Sequence, residues 1–138
     1  MKILILCTGN SCRSQMAEGF LKSFNNRLKV FSAGTKPTNI VHPKAIAVMD
    51  ELCIDISKNK PKSIEGFLTD SFDHVITVCG GAKEDCPLFT GKVSNNTHIG
   101  FDDPAEVTGT DETILNEFRR IRDEIKKDFY HFYKNNLL

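Results

Sequence analysis

The hydrophobic positions of the chain alternate between short continuous runs and longer stretches with helical spacing. Four runs of aliphatic and β-branched residues are predicted to form strands, at residues 2–6, 28–32, 74–78 and 97–101. Four stretches repeat apolar residues at every third or fourth position and are predicted to form helices, which begin near Arg13, Pro43, Ser63 and Asp111. The last of these helices is expected to reach into the 130s.

This alternation is typical of an α/β fold, in which helices cover both faces of a parallel sheet. The chain has 138 residues, a length that predicts one domain over residues 1–138. In such sheets, ligands bind beyond the carboxyl ends of the strands. The segments that follow Leu6, Val78 and Phe101 are therefore the places where chemistry is expected.

The charge balance and the apolar runs narrow the class of protein. Eighteen basic residues cancel eighteen acidic ones, so there is no net positive field to favour nucleic acid or an anionic membrane. No early apolar run is long enough for a signal peptide or a membrane span, so a cytoplasmic protein is expected. It is also expected to be a monomer. The five cysteines are an odd number, which argues against a disulfide framework and for thiol chemistry or metal binding.

The segment after the first predicted strand combines a cysteine with an arginine six positions later. Between a strand and a helix, such a loop can turn its backbone N–H groups around a tetrahedral oxyanion, helped by the backbone freedom of Gly9 and Asn10. Arg13 can hold two oxyanion oxygens with its planar fork. The amides, the helix N-terminus and the guanidinium favour the thiolate of Cys7, to which Ser14 can donate a hydrogen bond. The loop is therefore interpreted as a nucleophile in an oxyanion cradle.

A second pair of cysteines, Cys79 and Cys86, lies at and beyond the end of the third predicted strand. Cys79 is expected at the same sheet edge as Cys7, and the glycines Gly80 and Gly81 would let the intervening segment move. The spacing alone leaves a redox pair and a core cysteine as alternatives. A zinc site is disfavoured because the spacing is not that of a cysteine knuckle and no histidine is close in sequence.

The loop closely resembles the active-site segment of the low-molecular-weight protein tyrosine phosphatase fold and, more narrowly, that of the thioredoxin-coupled arsenate reductases built on it. Matching segments occur in order along nearly the whole chain, at residues 7–18, 32–34, 43–45, 79–87, 100–105 and 122–125. The resemblance implies a three-layer α/β fold with a four-stranded parallel sheet and helices on both faces. It also implies that the loop residues bind the oxyanion: Thr8, Gly9, Asn10, Ser11, Cys12, Arg13 and Ser14.

The resemblance further implies a mechanism for reducing arsenate to arsenite. Cys7 would attack arsenate, Cys79 would then attack Cys7 and release arsenite, and Cys86 would attack Cys79, leaving a disulfide for thioredoxin to reduce. Asp103 is the candidate to protonate the leaving oxygen, with Asp102 as the alternative. Phosphate and sulfate would compete as oxyanions. Cys12 in the loop and Cys53 on the second helix are expected to pack rather than react.

Some reductases of this group bind potassium near residues that match Asn10, Glu18 and Ser32, so a potassium site there is the alternative to the expectation that no cofactor is bound. Members that bind potassium carry threonine and aspartate in a loop that matches residues 57–63. The present chain has Lys58, Lys60 and Lys62 in that loop. An ammonium group could therefore occupy the position of the cation.

Two other functions remain alternatives at this stage. The first is a phosphatase of tyrosine residues, arginine residues or small phosphoesters. Tyrosine-specific members usually carry aromatic residues after the Asp-Pro pair, whereas Ala105, Glu106 and Val107 follow here, which counts against that specificity. The second is a module without catalysis that binds oxyanions or senses redox state, and turnover with arsenate and a dithiol would distinguish it.

Overall fold

The structure of the protein is a computed structural model that describes residues 1–80 and 88–138. Within these ranges the strands are β1 (Lys2–Cys7), β2 (Lys29–Gly34), β3 (Ser71–Thr77) and β4 (Lys92–His98). The α-helices are α1 (Arg13–Phe24), α2 (Pro43–Asp50) and α3 (Asp111–Asn136), and short 3₁₀ helices cover Ile64–Phe67 and Pro104–Glu106. None of the helices in the described ranges is long and apolar enough to cross a membrane.

The four strands form one parallel sheet in the order β2-β1-β3-β4. β1 lies in the interior of the sheet, with Cys7 beside Gly34 of β2 and Leu6 beside Thr77 of β3. The carboxyl ends of β1, β2 and β3 therefore meet at one edge. The predicted α/β fold with a four-stranded parallel sheet is confirmed.

Alternation of side chains along β1 divides the core into two layers. Ile3 and Ile5 pack in a large cluster with residues of α1, α2 and α3. Leu4 and Leu6 point the other way, into a smaller cluster that includes Phe67 of the 3₁₀ helix. All four β1 side chains are fully buried, as expected for a central parallel strand. This burial fixes the end of β1, and with it Cys7.

The fourth strand lies earlier in the chain than the sequence predicts, at Lys92–His98 rather than residues 97–101. It is an edge strand, and its Ser94, Asn95 and Asn96 are exposed. A polar edge strand carries little hydrophobic periodicity. The apolar residues on which the prediction was based lie at the end of this strand and in the loop that follows it, where Phe101 is buried.

The expectation that Cys53 belongs to the core is wrong. Helix α2 ends at Asp50, and the N–H of Cys53 donates to the Asp50 carbonyl at 2.9 Å. Cys53 then adopts a positive φ of 61° and its side chain is exposed. The helical spacing continued in the sequence beyond the point at which the helix itself stops.

The charged residues of α3 lie largely off its apolar stripe, a pattern that predicts a solvated helix face. One of its basic residues departs from this pattern. Arg122 is 8% exposed, and its Nη1 donates to the Val48 carbonyl at 2.9 Å and to Glu51 at 2.7 Å. Hydrogen bonds from Arg119 and Arg122 lower the pKa of Glu51 to about 2. These contacts hold the C-terminal end of α2 against α3.

Candidate active site

Cys7 ends β1 at the base of the loop that leads into α1. Its side chain is 2% exposed. The backbone N–H of Asn10 donates to Cys7 Sγ at 3.1 Å, and Ser14 Oγ lies 2.9 Å from the same sulfur. The sulfur is thus held by a backbone N–H of the loop and by a hydroxyl of α1. The predicted contact between Cys7 and Ser14 is present.

The loop owes its shape to Asn10 and to a close approach at Gly34. Asn10 has a φ of 52°, in the left-handed region that asparagine tolerates. Its Nδ2 donates to Ser14 Oγ at 2.8 Å. A Cβ on Gly34 would lie 2.3 Å from the Thr8 carbonyl oxygen, so only glycine allows β2 to approach the loop this closely. Gly9, whose backbone freedom was expected to help the loop turn, has no positive φ.

Arg13 is the first residue of α1 and is 4% exposed. Its Nη1 donates to the Phe101 carbonyl at 3.0 Å, and its Nη2 lies 3.6 Å from Asp103 Oδ2. These contacts tie the guanidinium to the segment after β4. The planar fork is thereby oriented at the cavity that the loop surrounds.

A cavity of about 480 Å³ opens above Cys7. Its described lining consists of Cys7, Thr8, Gly9, Asn10, Ser11, Cys12, Arg13, Thr35, Lys36, Thr38, Asp103, Ala105 and Glu106. All the predicted oxyanion-binding residues except Ser14 line it, and Ser14 supports Cys7 from behind. No aromatic side chain is among the described lining residues.

Thr35, Lys36 and Thr38 line the cavity and were missed by the sequence analysis. They follow the carboxyl end of β2, and backbone hydrogen bonds fix them: Lys36 N–H donates to the Thr8 carbonyl at 2.9 Å, and Thr38 N–H donates to the Gly9 carbonyl at 3.0 Å. The rule that ligands bind at strand ends would have found them had it been applied to β2 as well as to the other strands.

The two candidate aspartates lie in different places. Asp103 lines the cavity, and its Oδ1 accepts from the N–H of Ala105 at 3.0 Å. The Asp102 side chain is 79% exposed and lies 3.4 Å from Arg120. Of the two aspartates, therefore, only Asp103 lies where it could exchange a proton with a ligand in the cavity.

Cys79 follows β3 and is 2% exposed. The N–H of Val78 donates to the Leu6 carbonyl at 2.9 Å, which holds the residue before Cys79 next to the residue before Cys7. Cys79 is disulfide-bonded, whereas Cys7, Cys12 and Cys53 are free thiols, so Cys7 and Cys79 are not joined to each other in this structure. Cys86 and Gly81 lie outside the described residues.

Gly80 was expected to lend mobility, and the structure gives it a packing role. A Cβ at this position would lie 2.4 Å from the Phe101 carbonyl oxygen. That oxygen is the one that accepts the hydrogen bond from Arg13. The backbone at Gly80, next to Cys79, thus packs directly against the Phe101 carbonyl that holds Arg13.

Cys12 is 4% exposed, and burial raises its pKa to about 12. Its sulfur lies 3.5 Å from Ser11 Oγ. A thiol with so high a pKa remains protonated and is a poor nucleophile. Cys12 therefore packs at the rim of the cavity, as expected.

Glu18 and Ser32 lie together behind the loop, where Ser32 Oγ donates to Glu18 Oε1 at 2.8 Å. Lys22 Nζ lies 3.0 Å from Glu18 Oε2. Across the described ranges, no group of three or more His, Cys, Asp or Glu residues is arranged to hold a metal ion.

His42 is a further residue that the sequence analysis did not connect with the site. It caps α2: its Nδ1 accepts from the N–H of Lys44 at 3.1 Å, and its backbone N–H donates to the Ser11 carbonyl at 3.0 Å. Burial and the charge of Lys44 lower its pKa below the usual 6.5, although Asp103 opposes this shift. The cap requires the neutral imidazole, because a protonated Nδ1 cannot accept.

This capping role predicts a pH dependence of stability. The unfolded chain takes up the His42 proton more readily, so the contribution of the cap is complete above pH 6.5 and is lost as the pH falls through the lowered pKa. Urea unfolding at pH 7.5 and at pH 5 would measure this effect. Between these two pH values, the free energy of unfolding of His42→Asn, which can cap without titrating, should fall by about 1 kcal/mol less than that of the unsubstituted protein. The control is His131→Asn, on the exposed surface of α3. If the free energy of unfolding fell equally with pH in all three proteins, the prediction would be contradicted.

Comparison with known proteins agrees with this geometry. A family model described as low molecular weight phosphotyrosine protein phosphatase matches residues 2–137. An arsenate reductase from Halalkalibacterium halodurans is 47% identical over 126 residues, 91% of this chain and 89% of that protein. An arsenate reductase from Bacillus subtilis is 44% identical over 124 residues, 89% and 88% of the two chains. A solved arsenate reductase in a phosphate-binding state shares a TM-score of 0.76 at 32% identity, over 97% of both chains.

A parallel sheet with a cysteine and an arginine on one loop at its carboxyl edge, both lining the same cavity, defines a phosphatase-type protein. The chain belongs to the low-molecular-weight phosphotyrosine protein phosphatase family. Within that family, the relatives named above are arsenate reductases, so the resemblance found in the sequence is confirmed. A solved arginine phosphatase shares a TM-score of 0.67 at 20% identity, which shows the fold alone.

Proposed function

We propose that this protein reduces arsenate to arsenite. The observation that carries the proposal is a second cysteine, Cys79, which follows the carboxyl end of β3, the strand next to the one that ends in Cys7. A phosphatase needs one nucleophile, whereas reduction of As(V) to As(III) takes two electrons, the number released when two thiols form a disulfide. Relatives named arsenate reductases, 44% and 47% identical over most of the chain, support the same activity.

The first chemical step uses the cradle. Cys7 thiolate attacks the arsenic of arsenate, whose oxygens are held by loop amides and Arg13. Asp103 gives a proton to the hydroxyl of hydrogen arsenate, which leaves as water, and a sulfur–arsenic bond replaces the oxygen–arsenic bond. The 3.6 Å separation of Asp103 Oδ2 from Arg13 Nη2 supports this role, because the residue that would hold the anion lies beside the acid. Arsenic is still As(V) at this point.

The second step transfers the electrons. Cys79 thiolate attacks the sulfur of Cys7, and the electron pair of the sulfur–arsenic bond moves to arsenic. Arsenite leaves as As(III), and Cys7 and Cys79 are oxidised to a disulfide. The neighbouring positions of the two cysteines at the carboxyl ends of β1 and β3 support this attack.

The third step regenerates the nucleophile. Cys86 thiolate attacks Cys79, a new Cys79–Cys86 disulfide forms, and Cys7 leaves as a thiolate. An external dithiol then reduces the new disulfide and is itself oxidised, and we propose thioredoxin in this role. The involvement of Cys86 rests on the sequence, because this residue lies outside the described ranges.

The test is arsenate-dependent oxidation of NADPH in the presence of thioredoxin and thioredoxin reductase. Steady consumption is expected with the unsubstituted protein and none with Cys7→Ser, because serine is not nucleophilic enough in this role. Sulfate should inhibit competitively by filling the cradle. Hydrolysis of p-nitrophenyl phosphate without any arsenate-dependent NADPH consumption would instead assign the protein as a phosphatase.

A further inference from the structure

Gln15 is a fully buried polar side chain in the first turn of α1. Its Nε2 donates to the Asn10 carbonyl at 3.2 Å, to Asn10 Oδ1 at 3.1 Å and to the Lys60 carbonyl at 3.4 Å. Its Oε1 accepts from Asn59 Nδ2 at 3.1 Å. Since two of the acceptors are backbone carbonyls, the nitrogen of the amide and not its oxygen must face them. Every polar atom of Gln15 is thus used, although Gln15 is not among the described residues that line the cavity.

Asn10, the residue to which Gln15 donates, has a backbone conformation that needs support. Its φ of 52° lies in the left-handed region, which costs free energy for any residue with a Cβ unless the surroundings stabilise it. Gln15 reaches both the backbone oxygen and the side-chain oxygen of Asn10, and the N–H of Lys62 donates to the same Oδ1 at 2.9 Å. These hydrogen bonds restrain the carbonyl and the side chain of Asn10 together.

Asn10 in turn contacts the nucleophile by two routes. Its N–H donates to Cys7 Sγ at 3.1 Å. Its Nδ2 donates to Ser14 Oγ at 2.8 Å, and that oxygen lies 2.9 Å from Cys7 Sγ. Because both routes to the sulfur begin at Asn10, a residue that holds Asn10 also positions Cys7.

The segment at residues 59–62, which supplies the other partners of Gln15, is attached to the sheet. The N–H of Gly34 donates to the Lys62 carbonyl at 2.8 Å, and Gly34 lies beside Cys7 in the pairing of β1 with β2. Gln15 therefore connects the loop that holds the nucleophile to a segment that is fixed at the end of β2.

We infer that Gln15 is a positioning residue for Cys7, because it holds Asn10 in the left-handed conformation that brings the Asn10 N–H to the sulfur. The inference rests on the proposed function in taking Cys7 as the nucleophile. A methionine or leucine would fill the same space, but it would leave the oxygens of Asn10 and the carbonyl of Lys60 without this donor.

The test uses Gln15→Met, which keeps the length of the side chain but can neither donate to Asn10 nor accept from Asn59. Calorimetry measures the affinity for sulfate, because the N–H groups of the loop converge on an oxyanion only when the loop keeps its shape. NMR measures hydrogen exchange of the residue 10 amide, which reports how often its bond to the sulfur opens. We expect sulfate to bind about tenfold more weakly and the amide to exchange about tenfold faster.

A double-mutant cycle with Asn10→Gly separates positioning from a loss of packing in α1. Glycine adopts the left-handed conformation without support. In the Asn10→Gly background, Gln15→Met should therefore change either measurement by less than about twofold. If the effects of the two substitutions simply multiplied, Gln15 would act through packing, and the inference would be overturned.

Ser23→Ala is the matched control, since it removes one hydrogen bond at the other end of α1, from Ser23 Oγ to the Phe20 carbonyl. This variant should equal the unsubstituted protein in both measurements, and a Gln15→Met protein that did the same would refute the inference.

If Gln15→Met does not fold, Asn59→Ala takes its place, because it removes the donor to Gln15 Oε1 from a half-buried position. It should give a smaller loss of the same kind, which Asn10→Gly again suppresses, and no loss at all would overturn the inference. If the unsubstituted protein binds no sulfate, the oxyanion cradle of the proposed function fails. Exchange of the residue 10 amide then decides by itself whether Gln15 positions the loop.

Discussion

Cys86→Ser is expected to reduce arsenate once and then stop, trapped as a Cys7–Cys79 disulfide. The serine cannot attack Cys79, so the buried Cys7 has no route back to a free thiolate. Each protein molecule should release about one arsenite and then become inactive, because no thiol remains in the relay to attack Cys79 and free Cys7. Rapid-quench measurement of arsenite and peptide mapping after alkylation would identify the trapped bond.

Cys79→Ser provides the complementary result. It should release no arsenite at all, yet it keeps Cys7, Arg13 and Asp103, and weak hydrolysis of p-nitrophenyl phosphate should persist. Cys53→Ser is the control, because this exposed cysteine lies outside the cavity lining and should be dispensable. Multiple turnovers by Cys86→Ser at the unsubstituted rate would disprove the three-cysteine relay.

Arg13→Lys is expected to lower kcat/KM for arsenate by about 10²–10³-fold although the charge is kept. Nη1 of the guanidinium donates to the Phe101 carbonyl, and Nη2 lies near Asp103. A lysine has one nitrogen and cannot serve the carbonyl and a planar pair of anion oxygens together. Steady-state kinetics and the ability of sulfate to protect Cys7 from alkylation would measure the loss.

The control for this substitution is Arg27→Lys, at an exposed position beyond the C-terminal end of α1. It should leave both measurements unchanged. If Arg13→Lys kept near-normal activity and full protection by sulfate, then Arg13 would not be the residue that holds the anion.

The cradle itself could be predicted from the sequence because its residues are contiguous. The loop lies between a buried apolar strand and a helix with clear periodicity, so both of its ends could be predicted from the sequence. Its site residues are Cys7, Asn10, Arg13 and Ser14. The choice between Asp102 and Asp103 could not be made. It depends on the exposed pairing of Asp102 with Arg120, which lies on a distant helix.

Other parts of the site depend on contacts that no local pattern records. Lys36 enters the cavity because β2 happens to be the neighbour of β1, a matter of strand order. The prediction put the fourth strand too late in the chain for a related reason. Hydrogen bonds to β3, and not a hydrophobic pattern, make the polar edge segment β4 a strand. Arg122 is buried because the end of α2 lies against it.

The pairing of β1 with β3 also has a consequence for how the chain matures. Cys7 and Cys79 are far apart in sequence, and they become neighbours only when these two parallel strands align. Such long-range pairing is slow, because the intervening chain must be closed into a loop first. Until then the cysteines of a newly made chain are exposed and able to form wrong disulfides. Refolding should therefore give more active protein when a reductant is present until the sheet has closed.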